Sequence, residues 1–457
     1  MLARSRPGEL RASLPASPPE APEPLAQVVD DALARVVPHL THWNHPGFFA
    51  YFANSSTAPA ILGELLAATF NVNAMLWRTG PAATELELVV VDWLRQLLGL
   101  PPDSFGVIQD TASASTLVAL VAAREAVPGL EARRRGLVGQ ARLRMYASEQ
   151  AHSSVEKAGI VMGIGQEGLR RVPVDDAFRM RPETLAAAVA EDRAAGLTPF
   201  AVTATVGTTS TTSVDPVPEI AALCEREGLW LHVDAAYGGA MALLPEARAL
   251  LAGCERADSL VMNPHKWLLV PLDLSVLYTR RREVVRRAFS LVPDYLKTPE
   301  DEGAPNLMDY GVSLGRRFRA LKLWMVLRAF GRQGLEARIR EHVRLARLFR
   351  SWLEADGGFE ICAPTPMSVV CFRARLPGLP PAEADRANEA AMDAVNAGGE
   401  VFVSGTRLLG RFVLRLAIGN VRSEERHVRR AFELLREAVA ATAAAAAGRG
   451  PIAEVER

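Results

Sequence analysis

The chain has 457 residues, of which 49% are hydrophobic, enough for a large core and for two or three domains of ordinary size. Lys+Arg and Asp+Glu each total 52, so the formal net charge is zero, which argues against a nucleic-acid partner. The four cysteines form no CxxC pair, no apolar run approaches about 20 residues, and the N-terminus has no signal-peptide core, so we expect a cytoplasmic protein that does not enter a membrane.

The N-terminal region predicts an arm followed by helices. Residues 1–24 are rich in Pro, Ala and Glu, which is typical of a flexible or extended arm. From Pro24 to about Leu40 the apolar spacing favours a helix, and another helix begins at about Pro59. The loop between them carries five aromatic side chains, and spacing alone does not assign them to a core or to a pocket: Trp43, Phe48, Phe49, Tyr51 and Phe52.

The middle of the chain alternates strand-like apolar runs with helical patterns such as Arg181–Ala195 and Val217–Glu227. This alternation predicts βαβ units and an α/β fold with a mainly parallel sheet. The strand candidates are Arg144–Ser148, Phe200–Val206, Trp230–Val233, Ser259–Met262 and Leu274–Tyr278.

The C-terminal region has a different pattern. Beyond about Leu321 come long Arg-rich amphipathic helices, then strands near Ser368–Arg373 and Phe412–Ala417, which predict a smaller α+β domain. The Ala-rich tail from Ala438 predicts a last helix. We therefore divide the chain into an N-terminal arm and helical segment at 1–58, a large domain at 59–325 and a small C-terminal domain at 326–457.

Three consecutive strand candidates end within a few residues of side chains that can do chemistry: Thr209, Asp234 and Lys266. In open α/β sheets, ligands bind beyond the carboxyl ends of the strands, so these three side chains are expected at one edge. The interval from Asp234 to Lys266 suits a single helical crossover.

Lysine is scarce in this chain, which adds weight to Lys266. Only four of the 52 basic residues are lysines, at positions 157, 266, 297 and 322. Arginine can replace lysine wherever only a positive charge is needed, but its pKa is too high to supply a deprotonated amine. A lysine nucleophile therefore has four candidates.

A lysine and an aspartate at one sheet edge suit pyridoxal phosphate (PLP). Lys266 would bind the cofactor as a Schiff base, and Asp234 would keep the pyridine nitrogen protonated so that the ring can accept electrons. The phosphate would bind at the hydroxyl-rich start of a helix near Thr111 and Ser113, and His152, after the first strand candidate, would stack on the ring. Each residue alone has an ordinary structural explanation, such as a helix cap, and the signal is their joint occurrence.

Further motifs occur in order along the chain from Trp43 to about Ala417. They are Phe48-Phe49-Ala50-Tyr51-Phe52, Thr84-Glu85-Leu86-Glu87, Gln150-Ala151-His152-Ser153-Ser154, His232-Val233-Asp234-Ala235-Ala236-Tyr237, Asn263-Pro264-His265-Lys266-Trp267, Leu314-Gly315-Arg316-Arg317-Phe318-Arg319 and Phe412-Val413-Leu414-Arg415. This set resembles the group II PLP-dependent amino-acid decarboxylases, and within them the aromatic-L-amino-acid decarboxylases.

The resemblance implies PLP-dependent decarboxylation of an L-amino acid to its amine and carbon dioxide, with an aromatic substrate of the tryptophan, tyrosine, phenylalanine or dopa type. It implies fold type I, the aspartate-aminotransferase-like fold, with a mainly parallel seven-stranded sheet in the large PLP-binding domain and a small α+β C-terminal domain. It also implies a homodimer with shared active sites, interlocked by a helical N-terminal extension.

The resemblance also implies a role for each matching residue. Lys266, Asp234, His152 and Tyr295 would be the catalytic residues, with Tyr295 on a mobile loop that closes over the partner subunit's site and protonates Cα. Besides Lys266, Asp234 and His152, the cofactor would contact Ala236 beneath the ring, Thr209 near the ring and substrate, and the phosphate-binding residues Thr111, Ala112, Ser113, Asn263 and His265. The substrate pocket would comprise Trp43, Tyr51, Phe52, Asn73 and Met75.

The pocket departs from the aromatic pattern. Asn44 replaces a His, and Asn73 and Met75 replace an Ile and a Phe that line the pocket from the neighbouring subunit. A buried amide needs a hydrogen-bond partner, which leaves open a decarboxylase of a more polar amino acid.

Other functions stay open as alternatives. An aldehyde synthase or aminotransferase would use the same cofactor, but aldehyde-forming relatives change the loop Tyr or the stacking His, and this chain keeps Tyr295 and His152. A non-catalytic binding protein would not need Lys266 and Asp234. Prolines bracket the three closely spaced histidines at 39, 42 and 45, so we predict no metal site.

Overall fold

The N-terminal segment is helical but contributes no buried side chain from its two α-helices. The structure is a computed structural model that describes residues 2–291 and 303–447. Helix α1 (Glu9–Ser13) lies inside the segment that was predicted to be a flexible or extended arm, so that prediction was wrong there. The helix is supported by the Glu9 carboxylate, which accepts the Arg6 N–H at 2.8 Å. Helix α2 (Leu25–Asp31) continues through π and 3₁₀ turns to His39, which confirms the predicted helix.

The large sheet has seven strands in the order β1-β7-β6-β5-β4-β2-β3. Only β7 runs antiparallel to its neighbours in this sheet, so the predicted α/β fold with a mainly parallel seven-stranded sheet is confirmed. The strands are β1 (Phe105–Gln109), β2 (Leu143–Ser148), β3 (Leu169–Val172), β4 (Thr198–Thr205), β5 (Trp230–Asp234), β6 (Ser259–Met262) and β7 (Ser275–Thr279).

Helices cover the large sheet and connect its strands. The sheet is preceded by α3 (Ala58–Phe70) and α4 (Pro81–Leu98). The helices that follow are α5 (Ala112–Glu125), α6 (Ala132–Arg135), α7 (Ser153–Val161), α8 (Pro182–Ala194), α9 (Val217–Glu227), α10 (Pro264–Trp267) and α11 (Arg282–Phe289). All five residues of β5 and all four of β6 are buried, as expected for strands covered on both faces.

Two strands of the large sheet escaped prediction for visible reasons. In β1, Gly106 interrupts the apolar run, yet it is needed because an added Cβ would lie 2.8 Å from the Tyr278 ring and 2.9 Å from the Val91 Cβ. Strand β3 contains Arg170 and Arg171 among its four residues, so it has no apolar run to detect.

The C-terminal part has its own antiparallel sheet in the order β10-β11-β9-β8. Its elements are α12 (Ala320–Asp356), β8 (Phe359–Ile361), β9 (Val369–Ala374), α13 (Pro381–Gly398), β10 (Ser404–Leu408), β11 (Arg411–Ala417) and α14 (Glu425–Ala447). Helix α12 crosses the proposed boundary at 325/326, and its helical path is interrupted at Gly331 (φ 60°), so the domain division stays a prediction. Within the described ranges, no helix is both long and apolar enough to cross a bilayer.

Three histidines are buried among neutral partners. His232 contacts the Ser259 Oγ through Nδ1 at 2.9 Å, and His265 Nδ1 accepts the Leu274 N–H at 3.0 Å. Burial lowers the pKa of both, and of His342, to about 4, so all three are uncharged at neutral pH. Asp215 is also buried, and burial raises its pKa to about 6.

These groups predict a loss of stability in mild acid. Between pH 6.5 and 4 the unfolded chain binds protons at the three histidines and the folded chain does not, so the free energy of unfolding falls as pH falls, by about 1.4 kcal/mol per pH unit for each imidazole. Asp215 has the opposite effect between pH 6 and 3.8, the ordinary pKa of its carboxyl, because there the folded chain binds the proton more readily. Its contribution to the free energy of unfolding offsets that of one of the three imidazoles. Urea unfolding midpoints at pH 7 and pH 5 test this, and an equal or higher midpoint at pH 5 would contradict it.

Candidate active site

The carboxyl ends of β4, β5 and β6 meet at one edge of the large sheet. In the parallel register Thr205 lies beside Asp234, and Asp234 lies beside Val261. A cavity of about 170 Å³ opens beyond these ends. It is lined by Phe52, Thr111, Ala112, Ser113, His152, Thr205, Gly207, Thr209, Asp234, Ala236, Tyr237, Asn263, His265 and Lys266.

Lys266 lies in α10, the short helix that directly follows β6, and its Nζ is 5.1 Å from the centre of the Phe52 ring. Burial lowers the pKa of the Lys266 ammonium, while the charge of Asp234 opposes that shift. A lowered pKa makes the free amine, which is the nucleophilic form, easier to reach. Among the other described lysines, Lys157 is exposed on α7 and Lys322 is paired with Glu64.

Asp234 ends β5 and is almost fully buried. Its Oδ1 accepts the backbone N–H of Ala236 at 3.0 Å, which orients the carboxylate without neutralising its charge. A buried carboxylate in a low-dielectric cavity wall strongly favours a positive group placed against it.

The amino end of α5 forms another wall of the cavity. Thr111 caps the helix, accepting the Ala114 N–H through Oγ1 at 3.5 Å. Thr111, Ala112 and Ser113 all line the cavity, so the positive end of the helix dipole and its free N–H groups are available to an anion.

Two polar atoms of the wall have no hydrogen-bond partner among the described residues. They are the Asn263 Oδ1 and the Thr205 Oγ1, both buried. Beside them, His265 accepts a backbone N–H through Nδ1, so the proton of the neutral ring is on Nε2, where it can be donated. Unpaired buried polar atoms are costly, and a polar ligand in the cavity would satisfy them.

His152 lies at the mouth of the cavity as the N-cap of α7, and its Nδ1 accepts the Ser154 N–H at 3.2 Å. Burial, together with the positive charge of Lys266, lowers the pKa of His152, although Asp234 opposes this and the side chain is partly exposed. The ring is therefore oriented by a backbone bond and favours its neutral form.

The loops after β4 and β5 are in close contact. An added Cβ at Gly238 would lie 2.3 Å from the Val206 carbonyl oxygen, and Gly207 has a φ of 90°. Glycine at both positions lets the two loops close one side of the cavity.

The aromatic loop is held by main-chain bonds to the C-terminal part of the chain. The Phe49 N–H donates to the Phe402 oxygen at 2.8 Å, the Phe402 N–H donates to the Gly47 oxygen at 3.0 Å, and the Ala417 N–H donates to the Phe49 oxygen at 2.8 Å. This fixes the backbone next to Phe52, the residue of this loop that lines the cavity.

Residues 7–375 match the protein family described as "Pyridoxal-dependent decarboxylase conserved domain". The chain belongs to this family. Aromatic-L-amino-acid decarboxylase of Sus scrofa is 43% identical over 462 residues, covering 98% of this chain and 93% of that protein. Phenylacetaldehyde synthase of Arabidopsis thaliana is 41% identical over 447 residues, covering 96% and 90% of the two chains. The solved structure of Oryza sativa TDC with PLP and tryptamine has a TM-score of 0.93 at 39% identity, covering 96% and 93%.

PLP is the cofactor of this pyridoxal-dependent decarboxylase, and the cavity fits it. The amino end of α5 suits its phosphate, Asp234 suits its ring nitrogen, and Lys266 supplies the amine. The unpaired Asn263 Oδ1 and Thr205 Oγ1 are the atoms that a polar cofactor would satisfy.

The structure brings together all ten residues predicted to contact the cofactor, since each lines the cavity. Of the predicted substrate pocket, Phe52 lines it, whereas Trp43 and Tyr51 stack on each other nearby with ring centres 5.8 Å apart. The side chains of Asn73 and Met75 touch at 3.5 Å and do not line the cavity of their own subunit. Tyr295 lies outside the described residues, and the individual roles stay predictions.

Sequence reasoning missed four residues at or beside the cavity. Thr205, Gly207 and Tyr237 line it, and the buried Arg415 guanidinium lies 5.7 Å from the centre of the Phe52 ring. Tyr237 and Arg415 belong to quoted motifs but received no role, because only the fold shows that Tyr237 lines the cavity and that Arg415 lies beside Phe52.

Two of the three histidines weighed as metal ligands use a ring nitrogen in another bond. His39 Nδ1 lies 2.5 Å from the Ser5 Oγ, and His45 Nδ1 accepts the Gly47 N–H at 3.1 Å. In the part of the chain that the structure covers, no three His, Cys, Asp or Glu side chains converge as a metal site would require.

Replacing Asp234 with Asn isolates the charge of this carboxylate, since the amide oxygen can still accept the Ala236 N–H. We expect D234N to bind PLP but to lose on the order of a hundredfold in kcat, because the charge that stabilises the protonated ring is gone. Steady-state kinetics with the PLP content measured in parallel test this. A D234N protein that keeps most of the wild-type kcat would contradict the assignment.

Proposed function

We propose that this enzyme decarboxylates an aromatic L-amino acid to its amine and carbon dioxide, with Lys266, Asp234, His152 and Tyr295 as its catalytic residues. The observation that carries the proposal is the single cavity in which Lys266, Asp234 and the amino end of α5 face one another. Those three groups match the aldehyde, the ring nitrogen and the phosphate of one PLP molecule.

When bound, PLP supplies an electron sink for the bond between Cα and the carboxylate. Lys266 would contribute the amine that holds the cofactor. Asp234 keeps a negative charge at the buried end of the cavity throughout. His152 covers the mouth, and Tyr295, from the partner subunit, donates the proton that Cα receives once carbon dioxide has left.

Arg415 supports the cavity through its charge and its bonds. It is buried, and its guanidinium donates to the carbonyls of Thr209 and Ser210, at 2.6 and 2.7 Å, and to the Ser404 Oγ at 3.0 Å. These bonds hold the Thr209 loop in place, and the buried cation adds positive potential that favours an anionic substrate group.

The bonds of the two pocket amides favour an aromatic over a polar substrate. Asn44 Oδ1 accepts the Ser56 N–H at 2.7 Å, and Asn73 Oδ1 accepts the Arg316 N–H at 3.0 Å. Both amide oxygens therefore bind backbone within their own chain and have no need of a polar substrate. Phe52 in the wall, and Trp43 and Tyr51 beside it, offer the apolar surface that an aromatic side chain would contact.

An aldehyde synthase is the second candidate, because a relative with that name is 41% identical to this chain. His152 at the cavity mouth and Tyr295 in the sequence favour proton return to Cα and thus amine formation. Overall identity does not separate the two activities, so the products must be measured.

We expect equal amounts of amine and carbon dioxide from tryptophan, tyrosine, phenylalanine or dopa, and no turnover of glutamate or 2,4-diaminobutyrate. The test uses purified protein with added PLP and measures carbon dioxide, amine, aldehyde and ammonia separately. Turnover of the acidic or diamino substrates alone would refute the aromatic assignment, and aldehyde with ammonia would establish the second candidate.

We also propose a cytoplasmic homodimer whose two active sites are shared. Within one subunit, α2 and α3 leave large apolar side chains exposed, among them Leu25, Val28, Ile61, Leu65 and Phe70. Such a surface is typical of a subunit interface. Asn73 and Met75, which do not reach the cavity of their own subunit, would then line the partner's. The four cysteines are free thiols, in keeping with a reducing compartment.

Mixed dimers test the sharing of residues between subunits. We expect K266A and Y295F each to be almost inactive alone. After exchange of subunits at equal amounts, activity should return to about a quarter of wild type, because half of the dimers are mixed and each has one site with both residues intact. The measurement is activity before and after exchange, with self-exchanged K266A as control. No recovery despite proven exchange would place Tyr295 in its own subunit's site.

A further inference from the structure

The residue after the cofactor lysine is held unusually firmly. Trp267 is fully buried in α10, and its indole lies flat against the Tyr237 ring, with centres 4.6 Å apart and an interplanar angle of 2°. At the Nε1 edge of the indole lies the His342 ring, with ring centres 6.5 Å apart and an interplanar angle of 11°. Because Trp267 and Lys266 are adjacent in a four-residue helix, any shift of the indole moves the backbone that carries the lysine.

His342 holds that indole through a hydrogen bond and belongs to a different part of the fold. It lies on α12, is fully buried and does not line the cofactor cavity. The Trp267 Nε1–H donates to its Nδ1 at 3.0 Å, and its Nε2 lies 3.0 Å from the backbone oxygen of Asn420. An indole can only donate and a carbonyl can only accept, so these partners fix the neutral tautomer with the proton on Nε2.

Asn420 extends this contact to the aromatic loop. Its Nδ2 donates to the backbone oxygens of Trp43 at 3.2 Å and His45 at 3.1 Å. The bonded series Trp267–His342–Asn420–Trp43 therefore joins the lysine helix, α12, the C-terminal part of the chain and the loop next to the substrate pocket. Every member of the series except Trp43 is buried.

A stack of rings joins the same two regions by a second route. Tyr237, which lies flat on Trp267, also stacks on Phe52, with ring centres 3.8 Å apart and an interplanar angle of 18°. Phe52 in turn lies 5.1 Å from the Lys266 Nζ. The stack therefore runs from Trp267 through Tyr237 to Phe52, next to the lysine amine, and His342 is bonded to the edge of its far ring, Trp267.

We propose that His342 is a positioning residue that fixes Lys266 relative to the cofactor by binding the indole N–H of Trp267. It touches neither cofactor nor substrate and acts through the Nδ1 bond to the indole. This inference rests on the proposed role of Lys266 as the PLP-binding amine.

Two substitutions separate the bonds of His342. In H342N the amide oxygen can take the place of Nδ1 and accept the Trp267 N–H, whereas in H342Q the amide nitrogen can take the place of Nε2 and donate to Asn420. W267F removes the same indole bond from the other side while keeping a ring in the stack. F349L is the matched structural control, because Phe349 is buried in α12 but packs against the rings of Phe372 and Phe432.

The readouts are the Kd for PLP from titration of the cofactor-free protein, the pH titration of the absorbance of lysine-bound PLP, and the melting temperature. We expect H342Q and W267F to weaken PLP binding about tenfold, because a buried polar atom loses its partner in each, and to shift the absorbance titration. We expect H342N to rescue both readouts to near wild type. F349L should lower the melting temperature and leave both readouts unchanged.

Two results would overturn the proposal. In the first, H342Q and W267F change the Kd for PLP no more than F349L does at a similar loss of melting temperature. In the second, H342N weakens PLP binding as much as H342Q does. A double variant W267F/H342Q weaker than either single variant by the product of their effects would also refute it, since one shared bond cannot be lost twice. Failure of the proposed function looks different, because the wild-type protein itself would then hold no PLP on Lys266.

Discussion

The lateral register of β4, β5 and β6 is the constraint on which the rest of the site depends. Hydrogen bonds between these parallel strands place Thr205, Asp234 and Val261 side by side at one edge. The chain leaves β6 into a single helical turn, which returns Lys266 to the same edge. A slip of one residue in this register would turn Asp234 to the opposite face of the sheet and separate the acid from the amine.

Burial then gives these groups their chemistry. The cavity is bounded by strands covered on both faces, so charges in it are weakly screened. The same burial lowers the pKa of Lys266, keeps His265 neutral and leaves two oxygens without a partner among the residues that the structure describes. The cavity brings together a carboxylate, an amine and the amino end of a helix. A cofactor that binds there fills the space and also gives these charged and polar groups their partners.

Much of this site could be predicted from the sequence, because its residues directly follow strands with clear apolar runs. Asp234 and Lys266 come within four residues of such runs, and the edge on which they meet follows from the topology. The two strands of the large sheet that escaped prediction hide their pattern behind Gly106 or behind Arg170 and Arg171.

The supporting residues were harder to predict, because their roles depend on contacts between segments far apart in the chain. Nothing near His342 in the sequence indicates that its ring meets Trp267, since 75 positions separate the pair and His342 lies in the middle of α12. Likewise the bonds that satisfy Asn44 and Asn73 are made to backbone and leave no mark in the residue pattern.

The main-chain attachment of the aromatic loop has a consequence for how new specificities arise. The loop is secured by amide and carbonyl groups at Gly47, Phe49, Phe402 and Ala417, which any side chain would retain. Its side chains at 43 and 51 take no part in these bonds, so substitutions there keep the main-chain attachment of the loop. Under the function proposed above, in which these two side chains contact the substrate, a focused library at both positions can vary the accepted amino acid while the bond-breaking chemistry is kept.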